Sequence, residues 1–399
     1  MRIFVLGAGA SGALLAQLLL RQGHNVWCGD RDPARAARFL GPGIPIQPVN
    51  ARNQWSIVRA ARGCHLLVNA APATFNETVL RAALRLRAHY FDMAANLGRY
   101  PFKAEQLRFD RRFRQKNRAA LICAGVAPGL TNLLVARAAD LCDTLDHVHI
   151  RLYESIESED PVSMWSPDIA FDEAVSRPRI YRDRRFRLAR RFSEPEWFRF
   201  PAPIGRTRVV LAAQDEVATL PHFLRLRELD VKIGGNEINR LRRWYRLGKL
   251  RPSAPRPKKH FPPTLTPRQV ARLIRRGELS NARFAAAVVA RGMKSGAPAS
   301  PGQPAEAGQP VEFRWDCAFP SLYQIRLHGI HATPIAYATA HAAAIFVKHL
   351  PRDLPGVHPP EALPAPIRTA VLADLRKRGF EITFRARRWK KQELDDEEI

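Results

Sequence analysis

The first twelve residues constrain the fold more than any other segment of the chain. Residues 1–6 are an apolar run of strand length, and Gly7-Ala-Gly-Ala-Ser-Gly12 follows at once with the pattern G-x-G-x-x-G. Residues 13–22 then have the composition of a helix, and Gly23 stands where a C-cap glycine is common. A strand, a glycine-rich turn and a helix in this order are typical of a phosphate-binding βα unit.

We predict that this turn binds a dinucleotide. Gly7 permits the tight turn, Gly9 lets a pyrophosphate approach the backbone, and Gly12 lets helix and strand pack closely. The free N–H groups of the first helical turn would then point at the phosphates. A second predicted strand ends at Asp30, about 20 residues on, where a carboxylate accepts hydrogen bonds from the adenosine ribose. The predicted cofactor-binding residues in this part are Gly7, Gly9, Ala10, Ser11, Gly12, Asp30 and Arg31.

The choice between NAD and NADP stays open at this point. The carboxylate of Asp30 would repel a 2′-phosphate, which favours NAD. Arg31 follows directly and could pair with that phosphate or stack on adenine. We therefore predict NAD or NADP, with NAD slightly favoured.

Hydrophobic periodicity differs between the first third of the chain and the remainder. The first third alternates predicted strands and helices in units of about 30 residues, which predicts a doubly wound parallel α/β sheet of the Rossmann type. One of these helices is predicted over Pro101–Asn117. From His147–Glu154 onward, apolar and polar residues alternate as in half-exposed strands, which predicts a second α+β domain with a mixed or antiparallel sheet. Further runs of this kind are Thr207–Ala213, Val311–Phe319 and Leu322–His328.

These patterns predict the domain organisation. The second domain would contain a Gly/Pro/Ala/Ser-rich surface insertion, and the final residues, basic and then acidic, would form a frayed tail. The predicted ranges are 1–125 for the dinucleotide-binding domain, 126–332 for the second domain with its insertion near 294–310, 333–384 for C-terminal helices and 385–399 for the tail.

Charge and cysteine content limit the class of protein. The chain has 64 Lys and Arg against 37 Asp and Glu, a net charge of +27. A genome that favours GC-rich codons, with arginines on solvated faces, would explain this charge, and the alternatives are an acidic substrate, nucleic acid or an anionic membrane surface. The basic clusters match no helix-turn-helix, RRM or zinc-finger pattern, so nucleic acid is an unlikely partner.

The five cysteines are scattered without a C-x-x-C motif, and the twelve histidines show no HExxH spacing. This favours reduced thiols in a cytoplasmic protein without a metal site. The near absence of charge from Ile3 to Leu20 would also fit a membrane helix or a signal peptide. The three glycines of the fingerprint interrupt that run, so we predict no membrane association.

A second candidate site follows another predicted strand. Val68-Asn-Ala-Ala-Pro72 would end at the carboxyl edge of the sheet, where open α/β sheets bind their ligands. Small residues there would let a nicotinamide ribose lie against the backbone, although an ordinary strand-to-helix turn would have the same sequence. The predicted cofactor-binding residues here are Asn69, Ala70, Ala71 and Pro72.

Ordered motifs along most of the chain resemble the saccharopine dehydrogenase superfamily. The motifs are the glycine turn, Gly29-Asp-Arg31, Val68–Pro72, Leu80-Arg-Ala-Ala, His89-Tyr-Phe-Asp92, Ala124-Gly-Val-Ala-Pro-Gly-Leu130, Trp165-Ser-Pro167, Asp215-Glu216 with Ala218-Thr-Leu-Pro221, and Gly356-Val-His-Pro-Pro-Glu361 with Leu375–Phe380. The resemblance implies a Rossmann domain, an inserted substrate and dimerisation domain, and a C-terminal helix that returns to the first domain. It also implies reversible hydride transfer between NAD(P)H and the carbon of a C–N bond in an amino-acid or polyamine-like substrate. Relatives that act on saccharopine or carboxynorspermidine often have an acidic residue where this chain has Ala127, which argues against those two substrates.

Reduction of an imine needs a proton donor or a group that holds the iminium charge. The predicted catalytic residues are Asp92, Glu154 and Glu216, with His222 as a further candidate, and each could instead be a structural or surface residue. The predicted substrate contacts are Trp165, which could lie over a cationic amine, and Ser166.

The sequence thus predicts a cytoplasmic NAD(P)-dependent oxidoreductase that acts on a small molecule, and the resemblance implies a homodimer. The net charge slightly favours a polycarboxylate over a polyamine substrate, because a basic cleft repels cations. The alternative is a non-catalytic NAD(P)-binding sensor or scaffold that keeps the glycine turn without a competent cleft.

Overall fold

The computed structural model describes residues 1–162, 166–251, 260–295 and 308–389. Within these ranges the strands are β1 (Arg2–Leu6), β2 (Asn25–Asp30), β3 (Ile46–Pro48), β4 (Leu66–Asn69), β5 (His89–Asp92), β6 (Ala119–Leu121), β7 (Thr144–Ser158), β8 (Arg179–Arg182), β9 (Arg185–Leu188), β10 (Glu196–Arg199), β11 (Arg206–Leu211), β12 (Glu228–Gly234), β13 (Leu279–Lys294), β14 (Gln309–Ala318), β15 (Gly356–His358) and β16 (Glu381–Arg388).

The α-helices in the same ranges are α1 (Ala10–Arg21), α2 (Pro33–Leu40), α3 (Gln54–Ala60), α4 (Asn76–Leu86), α5 (Asp110–Gln115), α6 (Leu130–Ala139), α7 (Pro167–Val175), α8 (Leu220–Phe223), α9 (Asn236–Arg246), α10 (Pro267–Arg275), α11 (Leu322–Leu327), α12 (Pro334–Lys348) and α13 (Ala365–Lys377). No helix in the described ranges is long and apolar enough to cross a bilayer.

The first sheet is parallel throughout and has the strand order β15-β6-β5-β4-β1-β2-β3. Its two faces are covered by different helices, because α1, α6 and α12 share one apolar core with the sheet while α3, α4 and α5 share the other. Strand order reverses at β1, so the carboxyl ends of β1 and β4 border the crevice in which such sheets bind ligands. The predicted Rossmann-type fold is confirmed.

The second sheet is mixed, which also confirms the prediction. Its main path runs β10-β11-β12-β7-β13-β14-β16, with β8 and β9 attached beside β12. β12 and β7 are parallel, and the other neighbours along this path are antiparallel. The long strands β7 and β13 form its centre, and about half of β7 and most of β13 are buried.

Three predicted elements are wrong. Leu322–His328 is not a strand, since Ser321 and Gln324 form a capping box that starts helix α11. Pro101–Asn117 is not one helix, because a turn and a short 3₁₀ segment (Glu105–Phe109) precede α5. The tail does not begin at 385, since β16 continues to Arg388 by pairing with β14.

The insertion predicted near 294–310 falls largely on residues 296–307, which lie outside the described ranges, as do residues 390–399. The C-terminal part of the described chain contacts both sheets: α12 packs against α1, β15 extends the first sheet and β16 extends the second. The predicted domain limits stay a proposal.

A buried ion cluster fixes the position of β7 relative to β12 and β10. The Arg151 side chain is 4% exposed and pairs with Asp230 and Glu196, and Glu196 also accepts from Lys232 at 2.5 Å. These guanidinium and ammonium charges hold the pKa of the Asp230 and Glu196 carboxyls below the usual range despite their burial. The cluster therefore holds β7, the strand that contains Glu154, against β12 and β10.

We expect Arg151→Met to lower the free energy of unfolding by about 3–5 kcal/mol, because it removes the guanidinium that pairs with the carboxylates of both Asp230 and Glu196 in this buried cluster. Urea denaturation followed by circular dichroism measures the change. The control is Arg81→Met, which removes an exposed ion pair with Glu77 and should cost at most about 1 kcal/mol. Equal losses in the two variants would contradict the assignment of Arg151 as a structural centre.

Candidate functional site

The turn between β1 and α1 has the geometry that the glycine pattern predicts. Gly7 has φ +91°, and a Cβ there would lie 2.6 Å from the Ala71 nitrogen. A Cβ on Gly12 would lie 2.0 Å from the Gly7 carbonyl oxygen and 2.9 Å from the Cβ of Ala70. At Gly9, by contrast, a Cβ would have no atom within 4 Å. Gly7 and Gly12 therefore allow close packing of the protein itself, and Gly9 leaves open space above the turn.

The first turn of α1 is suited to an anion. Gly9 is the N-cap and makes no side-chain capping hydrogen bond, and the first turn contains no acidic residue. Gly9, Ala10 and Ser11 are partly exposed. The first N–H groups of a helix have no partner within the helix, so they are free to bind phosphate oxygens. The open space at Gly9 and these amides fit the pyrophosphate of a dinucleotide.

Asp30 is held in a fixed position at the end of β2. Its two carboxylate oxygens accept from the Ala8 amide at 2.9 Å and the Asp32 amide at 3.0 Å. Asp30 is partly exposed, and Arg31 beside it is exposed. A carboxylate that is hydrogen-bonded to the glycine turn in this way is suited to accept hydrogen bonds from the adenosine ribose of the same cofactor.

Asn69 organises the turn after β4. It is 2% exposed, donates to Asn76 Oδ1 at 2.6 Å and accepts from the Ala71 amide at 3.1 Å. Ala70, Ala71 and Pro72 are partly exposed beside the glycine turn. Asn69 thus shapes this turn from inside, while the small residues after it form the surface next to Gly7 and Gly12.

Asp92, predicted as a catalytic residue, lies inside a hydrogen-bond network at the end of β5. It is 1% exposed, and its oxygens accept from the Cys123 amide at 2.7 Å, Tyr90 Oη at 2.7 Å and Gln106 Nε2 at 3.1 Å. Burial raises the pKa of this carboxyl to about 7, against the effect of these donors. In this geometry Asp92 ties the carboxyl ends of β5 and β6 together, and a catalytic role for it stays a prediction.

Glu216 was also predicted as catalytic. It and Glu361, which was not predicted, both accept hydrogen bonds from side chains at the start of α6. Glu216 is 0% exposed and accepts from Thr131 Oγ1 at 2.9 Å, and Glu361 is 3% exposed and accepts from Asn132 Nδ2 at 3.1 Å. In each carboxyl the second oxygen is buried without a partner among the described residues. Burial raises the pKa of both to about 7. Glu361 was not predicted as a site residue, although it lies in a family-like motif, because no local pattern in the sequence joins it to residue 216.

Glu154, the third predicted catalytic residue, lines a cavity between β7 and the helices α7 and α9. Burial raises the pKa of its carboxyl to about 8, and the neighbouring carboxyl of Glu237 adds to this shift. Glu173 lines the same cavity. Glu173 and Glu237 were not predicted as site residues, because they lie on helices far from Glu154 in the chain and belong to no short motif.

The two sheets are joined at the loop after β5. Asp215 accepts from the Ala95 amide at 2.9 Å, Arg179 donates to the Pro101 carbonyl at 2.5 Å, and His222 Nε2 lies 2.8 Å from the Phe102 carbonyl oxygen. The loop after β5 therefore connects the carboxyl edge of the first sheet to the second domain through hydrogen bonds. Such a border between domains is a common place for a ligand site.

The predicted substrate contacts occupy the start of α7. Ser166 is the N-cap of that helix, with its hydroxyl oxygen 3.5 Å from the Ile169 nitrogen. This capping role is sufficient to explain a serine there, so its contact with substrate stays a prediction. Trp165 lies outside the described residues.

Comparison with known proteins agrees with this geometry. Residues 3–121 match the family described as the saccharopine dehydrogenase NADP binding domain. Over the whole chain, the structure is similar to the apo histidine-tagged saccharopine dehydrogenase (L-Glu forming) from Saccharomyces cerevisiae, with a TM-score of 0.67, 11% identity, and coverage of 97% of this chain and 99% of that one. The family match therefore supports the resemblance inferred from the motifs over residues 3–121, and the solved structure shares the fold of the whole chain.

Two further solved structures are more distant. A probable dehydrogenase from Thermotoga maritima gives a TM-score of 0.41 at 9% identity, covering 97% of this chain and 98% of that one. The C. glutamicum DAP dehydrogenase in complex with DAP gives 0.40 at 12% identity, covering 95% and 98%. These two scores are too low to carry an argument, and the domain match alone supports a nicotinamide dinucleotide cofactor and an NAD(P)-dependent oxidoreductase.

We expect Gly9→Ala to weaken NADH binding at least about tenfold, or about 1.4 kcal/mol, while leaving the fold intact. The added methyl group meets no protein atom but occupies the space that the pyrophosphate needs. Fluorescence titration with NADH measures the affinity, and thermal unfolding checks the fold. The matched control is Gly98→Ala in the loop after β5, where the new Cβ makes only an ordinary contact at 3.5 Å. An unchanged affinity in the Gly9 variant would contradict the phosphate site.

Proposed function

We propose, from the match of residues 3–121 to the saccharopine dehydrogenase NADP binding domain family, that this chain transfers hydride to or from the carbon of a C–N bond. The substrate would be an imine or secondary amine of an amino-acid or polyamine-like molecule. The observation that carries the proposal is the open glycine turn at Gly9 in a fold shared with saccharopine dehydrogenase.

The residues of the first domain would orient the cofactor. The amides at the start of α1 would bind its pyrophosphate, Asp30 would accept from the adenosine ribose, and Ala70 to Pro72 would border the nicotinamide side. When bound, the cofactor supplies or accepts the hydride. The fixed position of Asp30, held by two backbone amides, favours one orientation of the nucleotide.

Among the predicted catalytic residues, we propose Glu154 as the group that acts on the nitrogen of the substrate C–N bond. Its side chain lines a cavity, and its raised pKa of about 8 leaves a proton on the carboxyl at neutral pH. Such a group could donate a proton as the C–N double bond is reduced. In its ionised form it could instead hold the positive charge of the substrate.

The catalytic test mixes the purified protein with NADH or NADPH and pairs of oxo acids and amines, and follows absorbance at the nicotinamide band. Oxidation of the reduced cofactor that requires both an oxo acid and an amine is the expected result. Tight cofactor binding without turnover for any pair would favour the non-catalytic sensor or scaffold instead. Oxidation with oxo acids alone would contradict chemistry at a C–N bond.

The same proposal includes a preference for NAD over NADP. We expect Asp30→Asn to raise affinity for NADPH relative to NADH by about tenfold, because removal of one charge beside a 2′-phosphate is worth about 1 kcal/mol or more near a protein surface. Asparagine keeps one acceptor oxygen for the neighbouring amides. Parallel titrations with both reduced cofactors measure the ratio, and tighter binding of NADPH than NADH by the unaltered protein would contradict the stated preference.

We also propose a homodimer, on the basis of the family resemblance alone. Light scattering after size-exclusion chromatography, at several protein concentrations, tests this proposal. A mass of one chain of 45.0 kDa at every concentration would contradict it.

A further inference from the structure

Glu154 and Glu237 both line two adjacent cavities. The first cavity lies between β7, α7 and α9, and the second adjoins the start of α12. The volume of the first that is open to the centre of a water molecule is about 40 Å³, which exceeds the space needed for a single water. Because each acid borders both spaces, the two side chains lie beside each other where the cavities meet.

The start of α9 is fixed against β7 beside Glu154. A Cβ on Gly235, the N-cap of α9, would lie 2.0 Å from the Glu154 carbonyl oxygen, so the helix begins against the backbone of β7. The side chain of Asn236 accepts from the Ile156 amide at 2.9 Å and donates to the Ile156 carbonyl at 2.8 Å. Glu237 follows directly in the first turn. These contacts therefore set the position of Glu237 relative to Glu154.

Arg240 stabilises the charge of Glu237. It lies one turn further along α9, donates to Glu237 Oε2 at 2.5 Å, and its guanidinium is 5.3 Å from the centre of the Trp244 ring. The other oxygen of Glu237 is buried and has no partner among the described residues. Burial raises the pKa of Glu237 to about 7, although the charge of Arg240 acts in the opposite direction. Glu237 therefore ionises near neutral pH.

Glu154 ionises after Glu237 as the pH rises. Burial raises the pKa of its carboxyl to about 8, and the charge of Glu237 adds to this effect. The other titratable or charged side chains in the walls of the two cavities are Glu173 of α7, Arg240 of α9, Arg283 of β13 and His260. Among the described residues, β12 and α12 line these cavities with apolar side chains only.

Glu173 differs from Glu237 in its charge. Its carboxyl accepts from Gln214 at 3.0 Å, and burial together with the adjacent carboxyls holds its pKa well above the usual range. Glu173 therefore stays protonated and neutral when Glu237 is ionised. Of the two acids beside Glu154, Glu237 is the one whose negative charge opposes the loss of the Glu154 proton.

The second cavity lies between Glu154 and the cofactor-binding edge of the first sheet. Pro334 and Ile335, the first residues of α12, form part of its wall. α12 packs against α1, and the chain after it reaches the amino edge of the sheet, where the Arg352 guanidinium lies 3.7 Å from the Met1 sulfur. α12 therefore begins near the opposite, carboxyl edge, where the glycine turn is located.

We propose that Glu237 is a positioning residue for the proton donor Glu154. The Glu237 carboxylate, held by Arg240, keeps the proton on Glu154 until the substrate nitrogen accepts it. This inference rests on the proposed function and adds a second residue to its proton transfer.

The proton transfer is balanced within these groups. The O–H bond of Glu154 breaks and its electron pair stays on the carboxylate, while the lone pair of the substrate nitrogen forms the new N–H bond. Glu154 and Glu237 are then two adjacent anions, and their repulsion favours the return of a proton to Glu154. The first cavity has room for the water that delivers this proton.

Infrared spectroscopy can follow the proton on Glu154 without cofactor or substrate. Difference spectra between the unaltered protein and Glu154→Gln isolate the C=O stretching band of the protonated Glu154 carboxyl, and its intensity against pH gives the pKa. The same subtraction is made in the Glu237→Gln background. We expect the pKa of about 8 to fall to about 7 or below there, because a neutral amide replaces the charge that opposes ionisation.

The matched control for the infrared measurement is Glu173→Gln. It makes the same chemical change in the wall of the first cavity, but at a carboxyl that is already neutral, so the pKa of Glu154 should stay near 8. Glu237→Asp keeps the negative charge and should also keep this pKa high. An unchanged pKa in Glu237→Gln, or equal falls in Glu237→Gln and Glu173→Gln, would overturn the inference.

The pH dependence of turnover gives a second readout. In the direction of reduction Glu154 must carry its proton, so kcat/KM should fall as the pH rises through the Glu154 pKa. We expect this alkaline limb near pH 8 in the unaltered protein and in Glu173→Gln, and at about pH 7 or below in Glu237→Gln. A uniform loss of activity in Glu237→Gln with an unmoved limb would show a purely structural role and contradict the proposal.

The two readouts separate this inference from the proposed function. The infrared measurement requires neither NADH nor turnover. A lowered Glu154 pKa in Glu237→Gln, in a protein that oxidises NADH with no substrate pair, would contradict the oxidoreductase while confirming the charge coupling of the two acids. Amine-dependent turnover with an unmoved Glu154 pKa would contradict only the role of Glu237.

Discussion

The contact between the start of α1 and the end of β4 is the constraint on which the site depends. The Gly12 Cα lies so close to the Gly7 carbonyl and the Ala70 side chain that any side chain at position 12 would collide with them. This packing places the first turn of α1 beside the carboxyl ends of β1 and β4. Because those amides are then directed at the crevice where strand order reverses, the same contact that closes the core also creates the phosphate site.

The site is assembled from segments that are distant in sequence. The start of α6 provides Thr131 and Asn132, which bind Glu216 from the second domain and Glu361 from the segment after β15. Together with the contact between Asp215 and Ala95, these bonds hold the carboxyl edge of the first sheet against the second domain. The domain border is therefore an ordered polar interface.

Net charge proved a poor guide to the interior. The chain carries +27, but many of its arginines are exposed, whereas carboxyls such as Glu216 and Glu361 are buried. A buried group responds to the few charges within several ångströms of it far more than to the solvent-screened surface. The cavity beside Glu154 is thus lined by several acidic side chains in a strongly basic protein.

The sequence by itself determined the dinucleotide-binding half. Its signals are local: Gly7, Gly9 and Gly12 follow a strand at fixed spacing, and Asp30 ends the next strand, so neighbours in the chain are neighbours in space. Local patterns also gave a wrong prediction at 322–328. The alternation there predicted a strand, but the capping side chains of Ser321 and Gln324 start a helix. Only the tertiary structure decided which acids meet. Glu154, Glu173 and Glu237 come from one strand and two helices whose packing places them around one cavity, and no periodicity in the sequence encodes a contact between elements brought together by folding.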